Sequence, residues 1–498
     1  MPLLAVRDVV TIVECPGAAM AEWGSSRERT AIGRGDLSMP VRQALLDEVV
    51  RTDVSVLDYG CGRGQDAARL RKMGVTADGW DPFFAPDTPL VERDVVLLTY
   101  VLNVIEDFGE RQEAISKAWQ LATKVMVVSC RLTWELNSIR GEESGDGIVS
   151  SRNTFQRFFT PSEIRKIVEE TTGRRCVSPV PGVVYAFRHD EDRFAYLARG
   201  AITGFEWAES EDYASAVSEV ISFAEKRGRP PLFEEIPDHL LPQLGRFSRR
   251  SLLEVINKGA SADRVAEGLR RSTLDTLLYL GTSIFSGRAS LGALPLGIQA
   301  DIKHCFKSYR EACARADRLL AKIRDDTYIR GAMQNSPGKM TATAFYVHRS
   351  AVSKIAVVLR LYEYCGFIAA GRPGGWNILK LDHRGRRVSW SSYPEFDTNP
   401  HPTLEWTYGV EMASLESSFQ SFGQRVNRPL LHRKEEFLDP DDPAVPKYRR
   451  LTAAEVRAGL YENPTLIGLE NGWNAELERC GVALRGHRVV KRDVGRHA

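Results

Sequence analysis

The stretch Asp58-Tyr-Gly60-Cys-Gly62-Arg-Gly64 decides the fold of this chain. It follows a short apolar run, 54–59, that reads as a strand, and precedes a helical segment, 65–73, with apolar positions Ala67, Ala68, Leu70 and Met73. Glycines at alternate positions between a strand and a helix let the main chain turn sharply and approach a ligand closely, because no Cβ stands in the way. The helix that follows aims free N–H groups and partial positive charge at the same point.

Two nucleotide-bearing ligands use such loops, and the spacing separates them. A dinucleotide fingerprint requires Gly-x-Gly-x-x-Gly, but Gln65 occupies its last position here and the glycines fall at 60, 62 and 64. Asp-x-Gly-x-Gly-x-Gly resembles instead the S-adenosylmethionine (SAM) loop of class I methyltransferases, with Asp58 near the methionine part of the ligand. A second acid is expected about 20 residues on, where a carboxylate accepts both ribose hydroxyls. Asp81, in Gly79-Trp-Asp81-Pro82, lies seventeen residues past Gly64. The expected cofactor is therefore SAM, held by Asp58, Gly60, Cys61, Gly62, Gly64, Trp80, Asp81 and Tyr100.

Outward from the loop, strand and helix alternate. Segment 39–50 reads as a helix with Pro40 in its first turn, 75–80 as a strand, and 111–122 as a helix. The runs 94–102 and 124–130 are continuously apolar, as strands buried on both faces should be. The segment 182–188 supplies the last of the sheet. This rhythm predicts an α/β, Rossmann-like class I methyltransferase domain, a parallel sheet with helices on both faces. Only twelve residues separate Asp81 from Asp94, and they include Pro82, Pro86 and Pro89, so no further helix–strand unit fits and the sheet is abbreviated. Phe83-Phe84-Ala-Pro86 then has to close the adenine pocket by apolar contact.

The remainder divides by pattern. Residues 1–26 stand as an N-terminal extension, with Met20 an alternative start, and 27–190 form the SAM-binding domain. Residues 191–335 form a helical domain, with apolar spacing of three and four over 212–226, 248–258, 262–280 and 298–324. In the last of these, Lys303, Lys307 and Arg310 share a solvated face. Residues 336–498 form an α+β C-terminal domain with strands at 376–381, 387–391 and 406–410 and a loose basic tail, 485–497.

With 43% hydrophobic and 27% charged residues, the chain has globular composition. No apolar run approaches the roughly 20 residues that span a bilayer, and the short run 9–13 lacks the basic start of a signal peptide. The eight cysteines form no Cys-x-x-Cys pair and no zinc-like spacing, which predicts reduced thiols, a cytoplasmic protein and no metal. A net charge of +2 neither demands nor excludes nucleic acid.

Longer motifs carry a resemblance to a family. They are Arg29-Thr-Ala-Ile-Gly-Arg34, Leu37-Ser-Met-Pro40, the glycine loop, Gly79-Trp-Asp81-Pro82 and Tyr100-Val-Leu-Asn-Val-Ile-Glu-Asp107. They continue through Gly145-Asp-Gly147, Asn153-Thr-Phe-Gln-Arg-Phe-Phe159, Tyr346-Val-His-Arg-Ser350, Tyr393-Pro-Glu-Phe-Asp397, His401-Pro402 and Leu431-His-Arg-Lys-Glu435. Over about 27–460 the chain resembles the methyltransferase family associated with DNA phosphorothioation. The resemblance implies a bacterial protein that transfers methyl groups beside DNA sulfur-modification and restriction systems, with proteins of those systems as partners.

The acceptor is harder to read. Amino-methylating DNA enzymes place Asp/Asn-Pro-Pro-Tyr/Phe after the strand that ends here at Thr99-Tyr100-Val101-Leu102-Asn103, and the prolines are absent. No Pro-Cys pair suits attack on cytosine either. Displacement at a sulfonium needs mostly alignment and an unprotonated nucleophile. Tyr100, Asn103 and Asp146 are the candidate catalytic residues, with Glu106 a further candidate base. Segment 141–159 is expected to overhang the site. Arg140, Arg152, Phe155 and Arg157 there, and His348, Arg349, His432, Arg433 and Lys434 later, are candidate contacts to DNA or another nucleic acid. Asp397, His401, Glu405 and Glu435 are metal-ligand types without a recognised spacing. Two readings compete: a methyltransferase acting on nucleic acid, and a non-catalytic SAM-binding scaffold or sensor of a DNA modification and defence system.

Overall fold

A computed structural model describes residues 27–492, apart from 32, 34, 140, 152, 203–204, 207, 209–211, 245–247 and 384–385. Helix α1 (Met39–Leu46) begins after Ser38 with Pro40 in its first turn, where a missing N–H costs nothing. Strand β1 (Ser55–Tyr59), α2 (Gln65–Lys72) and β2 (Thr76–Trp80) follow. Next come β3 (Arg93–Thr99), α3 (Phe108–Leu121) and β4 (Ala122–Ser129). Strands β1, β2, β3 and β4 are parallel, and Val95 to Leu98 of β3 are all buried, as expected of a strand covered on both faces.

Beyond β4 the chain forms a small antiparallel sheet of β5 (Gly141–Ser144), β6 (Gly147–Ser150) and β7 (Phe155–Gln156). Helix α4 (Pro161–Thr172), opened by a Thr160–Glu163 capping box, crosses to β8 (Cys176–Val177). A hairpin then returns β9 (Val183–Phe187) between β8 and β4. The order is β2-β1-β3-β4-β9-β8. The sheet expected to be parallel throughout is therefore mixed, because a hairpin reverses the chain where a helical crossover would not. After Asp81 the chain makes one tight bridge to Ala85 and runs to β3 without an intervening helix, so β2 is the sheet's edge.

The helical stretch comprises α5 (Asp190–Ala201), α6 (Tyr213–Arg227), α7 (Leu241–Leu244), α8 (Arg249–Gly259), α9 (Ala262–Ser283), α10 (Leu296–Cys305), α11 (Tyr309–Ala321) and α12 (Asp326–Gln334). The single helix expected over 298–324 is two. Phe306 turns extended, and the Ser308 hydroxyl accepts the Glu311 N–H at 3.1 Å to start a new helix. Lys303, Lys307 and Arg310 thus sit on α10, in the turn and on α11, not on one helical face. Helix α9 is buried from Asp275 to Ser283. One apolar core runs from Val41, Val125 and Tyr185 through Leu197 and Leu278 to Ala312 and Leu361.

The C-terminal part is an antiparallel meander of β10 (Lys339–Met340), β11 (Ala344–His348), β12 (Ile378–Asp382), β13 (Arg387–Ser392), β14 (Trp406–Glu411) and β15 (Ser417–Ser421). Across it lies α13 (Val357–Ala370), whose buried Glu363 accepts Trp390 Nε1 at 3.0 Å and the Arg372 guanidinium. Helices α14 (Val445–Arg457) and α15 (Glu470–Arg479) close this part. The tail expected to be loose pairs in its described portion, β16 (Val482–Leu484) with β17 (Val489–Lys491). No helix among the described residues is long and apolar enough to cross a membrane.

Asp301, 0% exposed on α10, holds two buried arginines: Arg227 through Oδ2, and Arg229 through Oδ1 at 2.6 Å. Removing the carboxylate leaves both guanidiniums buried without it. Asp301→Ala is expected to cost about 3–5 kcal/mol in urea unfolding, well beyond an exposed Asp→Ala change.

Candidate functional site

The pocket is assembled where β1 and β3 end. Gly60, Gly62 and Gly64 take φ of 82°, 53° and 68°, the left-handed region. At Gly60 the conformation is required twice, since an added Cβ would also lie 2.4 Å from Val101 Cγ2. The loop is bound to the end of β2 by Gly60 N and Cys61 N, which donate to Trp80 O at 2.8 and 3.0 Å.

Asp81 completes the cradle. Its Oδ2 accepts Gly62 N at 2.9 Å, and its Oδ1 accepts Phe83 N at 2.9 Å and Phe84 N at 3.0 Å. Three main-chain donors fix the carboxylate's position, two on Oδ1 and one on Oδ2, and Oδ2 keeps a lone pair for a ligand's hydroxyl. Burial, with the carboxylates of Asp58 and Asp81, pushes the Cys61 thiol up to about 12. That sulfur stays protonated and is no nucleophile. Tyr100, directly after β3, has φ of 59°, rare for a bulky residue, and its N–H donates to Ser129 O at 3.0 Å. Non-glycine strain of this kind costs about 1–3 kcal/mol and gathers at functional sites.

These residues surround one cavity of about 290 Å3. The structure brings Asp58, Gly60, Cys61, Gly62, Trp80, Asp81 and Tyr100 to its wall, while Gly64 stands just behind as the N-cap of α2. Phe83 and Phe84 flank it, edge to face at 4.9 Å, with the Arg63 guanidinium 5.2 Å from the Phe84 ring. Glycine cradle, fixed carboxylate and aromatic flank suit the sugar and base of SAM. Periodicity gave no sign of a further wall formed by Arg27, Glu28, Thr30 and Ala31. Arg27 clamps it down: Nε reaches Glu106 at 2.9 Å and Nη1 reaches Glu110 at 2.5 Å. Glu110, then Glu106, raise the already high pKa of this guanidinium, so the clamp is charged throughout the biological range.

Several sequence candidates lie elsewhere. Asn103 is 1% exposed and its amide is engaged, donating to Arg157 O at 2.5 Å and accepting Arg131 N at 2.9 Å. It staples the chain after β7 to the end of β4 and does not line the cavity. Asp146 pairs with both terminal nitrogens of Arg111, 2% exposed, at 2.6 and 2.7 Å. The Arg111 guanidinium holds this carboxyl below the usual range, leaving a poor proton acceptor that anchors the β5–β6 hairpin to α3. Among the described residues of 141–159 none lines the cavity, contrary to the expected overhang.

The residues expected to meet nucleic acid mostly face inward. Phe155 is buried under the hairpin, and Arg157 is held by Asp146 and Glu163. Arg140 and Arg152 lie outside the described residues. His348 stacks on Phe396 at 4.3 Å, and burial lowers its pKa. His432 Nε2 donates to Ile467 O at 2.6 Å, and burial, then His401, pulls its pKa down to about 3. Lys434, 2% exposed, donates to Phe396 O and Asn399 O at 2.6 and 2.7 Å, and burial brings it to about 7. Arg349 is exposed, and Arg433 lies 4.7 Å from the Tyr461 ring. Of the metal-ligand types, His401 pairs with Glu455 at 2.6 Å and Glu405 with Arg428 at 3.5 Å. No group of three metal-ligating side chains occurs among the described residues.

Strand order, glycine loop and Asp81 together define a Rossmann-like, class I methyltransferase fold at the front of the chain. No protein-family model matches the sequence. No curated protein matches it either. Among solved structures it is similar to magnesium protoporphyrin IX methyltransferase from Synechocystis PCC 6803 with bound SAH, at 17% identity and a TM-score of 0.23, over 34% of this chain and 95% of that one. It is also similar to a SAM-bound amino pentose methyltransferase from Micromonospora echinaspora, at 14% identity and a TM-score of 0.24, over 33% and 94%. A sugar N-methyltransferase from Streptoalloteichus sp ATCC 53650 matches at 13% identity and a TM-score of 0.23, over 38% and 100%.

Two substitutions check this geometry. Gly60→Ala should lose about 2 kcal/mol of stability from its left-handed backbone and the Val101 clash, and SAM binding in calorimetry should fall at least tenfold. Asp146→Asn tests the hairpin anchor through pH. A carboxyl lowered in the folded state stabilises above its unfolded pKa of about 3.9 and ceases to as pH falls through the folded value. The urea midpoint of the variant should therefore trail the unaltered protein at pH 7 and converge with it as pH falls through the lowered folded value.

Proposed function

We propose that this chain is a SAM-dependent methyltransferase. The observation that carries the reading is the meeting, in one cavity, of a left-handed glycine cradle, a carboxylate fixed by three N–H donors and the strained Tyr100. When bound, SAM supplies an electrophilic methyl group on a sulfonium. Asp81 would accept a ribose hydroxyl, Asp58 would face the cationic methionine end, and Phe83 and Phe84 would shield the adenine from water. The Arg27 clamp occupies Glu106 and Glu110, and Asp146 is committed to Arg111. Tyr100 is then the remaining named candidate at the cavity, and the acceptor must bring a nucleophile that is unprotonated at working pH.

DNA or another nucleic acid is the acceptor we propose to test first, in the setting of DNA phosphorothioation. Its support is the motif resemblance along the chain and the exposed Arg349. A second reading, a SAM-binding scaffold or sensor without turnover, is favoured by one observation: the segment from Arg27 to Ala31 is clamped onto the cavity, and the expected substrate loop does not reach it.

Calorimetry with SAM should give one site per chain, weakened tenfold or more by Asp81→Asn; no binding would end both readings. Transfer of labelled methyl should then be followed to DNA, phosphorothioated DNA, RNA and small amines and phenols. Label on any of them supports the enzyme and names its acceptor class. Binding without transfer to any acceptor supports the sensor.

A further inference from the structure

Where β8, the end of the helical stretch and the C-terminal sheet meet, the structure holds a cavity of about 750 Å3. Its wall is largely apolar, with Val177 from β8, Ile323 after α11, Phe367 and Ile368 from α13, and Met412 and Leu415 from the β14–β15 turn. Four arginines also reach it, Arg165, Arg175, Arg324 and Arg386, against one carboxylate, Glu169.

The charges are not balanced within the fold. Arg386 is engaged with Asp326 at 2.9 Å, and Glu169 accepts the Cys176 N–H at 2.9 Å. Among the described residues Arg165 donates to the carbonyl of Ile368 alone, and Arg175 to that of Phe285 alone, at 3.4 Å. None of Arg165, Arg175 and Arg324 has an ion-pair partner among the described residues. Guanidinium groups beside apolar surface lose hydration and gain most from a carboxylate, sulfonate or phosphate, which they bind with charge-assisted hydrogen bonds. The volume lies within the range of small-molecule sites. No wall residue is shared with the methyl-donor cavity, and β8 stands four strands from β1, roughly 19 Å across the sheet.

We propose that this cavity is a second binding site, for a small amphipathic organic anion whose apolar body rests on Phe367, Ile368 and Met412 and whose acid group meets Arg165, Arg175 and Arg324. The site is independent of the methyl-donor reading and would stand if that reading failed.

The test titrates the full chain with anilinonaphthalene sulfonate and, separately, with neutral phenylnaphthylamine, the same ring body without the acid. One saturable site per chain is expected, at least tenfold tighter for the anion. Arg175→Glu with Arg324→Glu, both exposed positions, should weaken the anion tenfold or more, while Asp81→Asn leaves it unchanged. Equal affinity for the two probes, unsaturable uptake, or unaltered binding in the folded charge-reversed variant would overturn the proposal. Should that variant fail to fold, the comparison of the two probes on the unaltered protein decides alone.

Discussion

The carboxylate of Asp81 accepts three main-chain N–H groups, one from the glycine loop and two from the turn after β2. Those bonds add to the Gly60 and Cys61 N–H groups on Trp80 O in tying the glycine loop to the end of β2. The loop cannot swing away from the end of β2 without stripping a carboxylate of its donors, and the turn cannot unfold without exposing Phe84 and its Arg63 partner. In a sheet that lacks a strand beyond β2, this side chain does work that a neighbouring strand and helix would otherwise share. The shortness of the connection is possible because one acid both ends the strand and closes the turn.

What the sequence disclosed about this region was local in origin. The glycine spacing, the position of Asp81 and the buried runs of β3 and β4 all express constraints between residues close along the chain, and periodicity reads such constraints directly. Direction does not show in periodicity, so β9 looked like one more parallel strand. The break at Phe306 does not show in the spacing although Ser308 and Glu311 spell a cap, because apolar residues on either side keep a helical period. The Arg27 clamp joins residues 79 and 83 positions apart, and no pattern in a window could show it.

Several candidate nucleic-acid residues face inward for a related reason. Arginines alternating with phenylalanines look the same whether they face solvent or a core. The partners that decide are Asp146 and Glu163 for Arg157, and main-chain carbonyls for Lys434. Burying charge in such company is costly unless every donor is met, and here the bonds that meet them fix loops in place. His401, His432 and Trp473 pack ring against ring within 4.4 to 4.7 Å, with Glu455 and Tyr461 completing the polar contacts. His401, a metal-ligand type without a recognised spacing, serves as packing in the fold.

The core that runs from the first sheet through α9 to α13 has a consequence for how the chain can be divided. One face of the sheet, with Val125, Val127 and Tyr185, is covered in part by α1 and α2 and in part by helices that come after it in sequence. A fragment ending near residue 190 would present the rest of that face to water, an exposed patch of the sort that drives self-association. The methyl-donor fold is thus not a cassette that recombination could lift out and graft elsewhere.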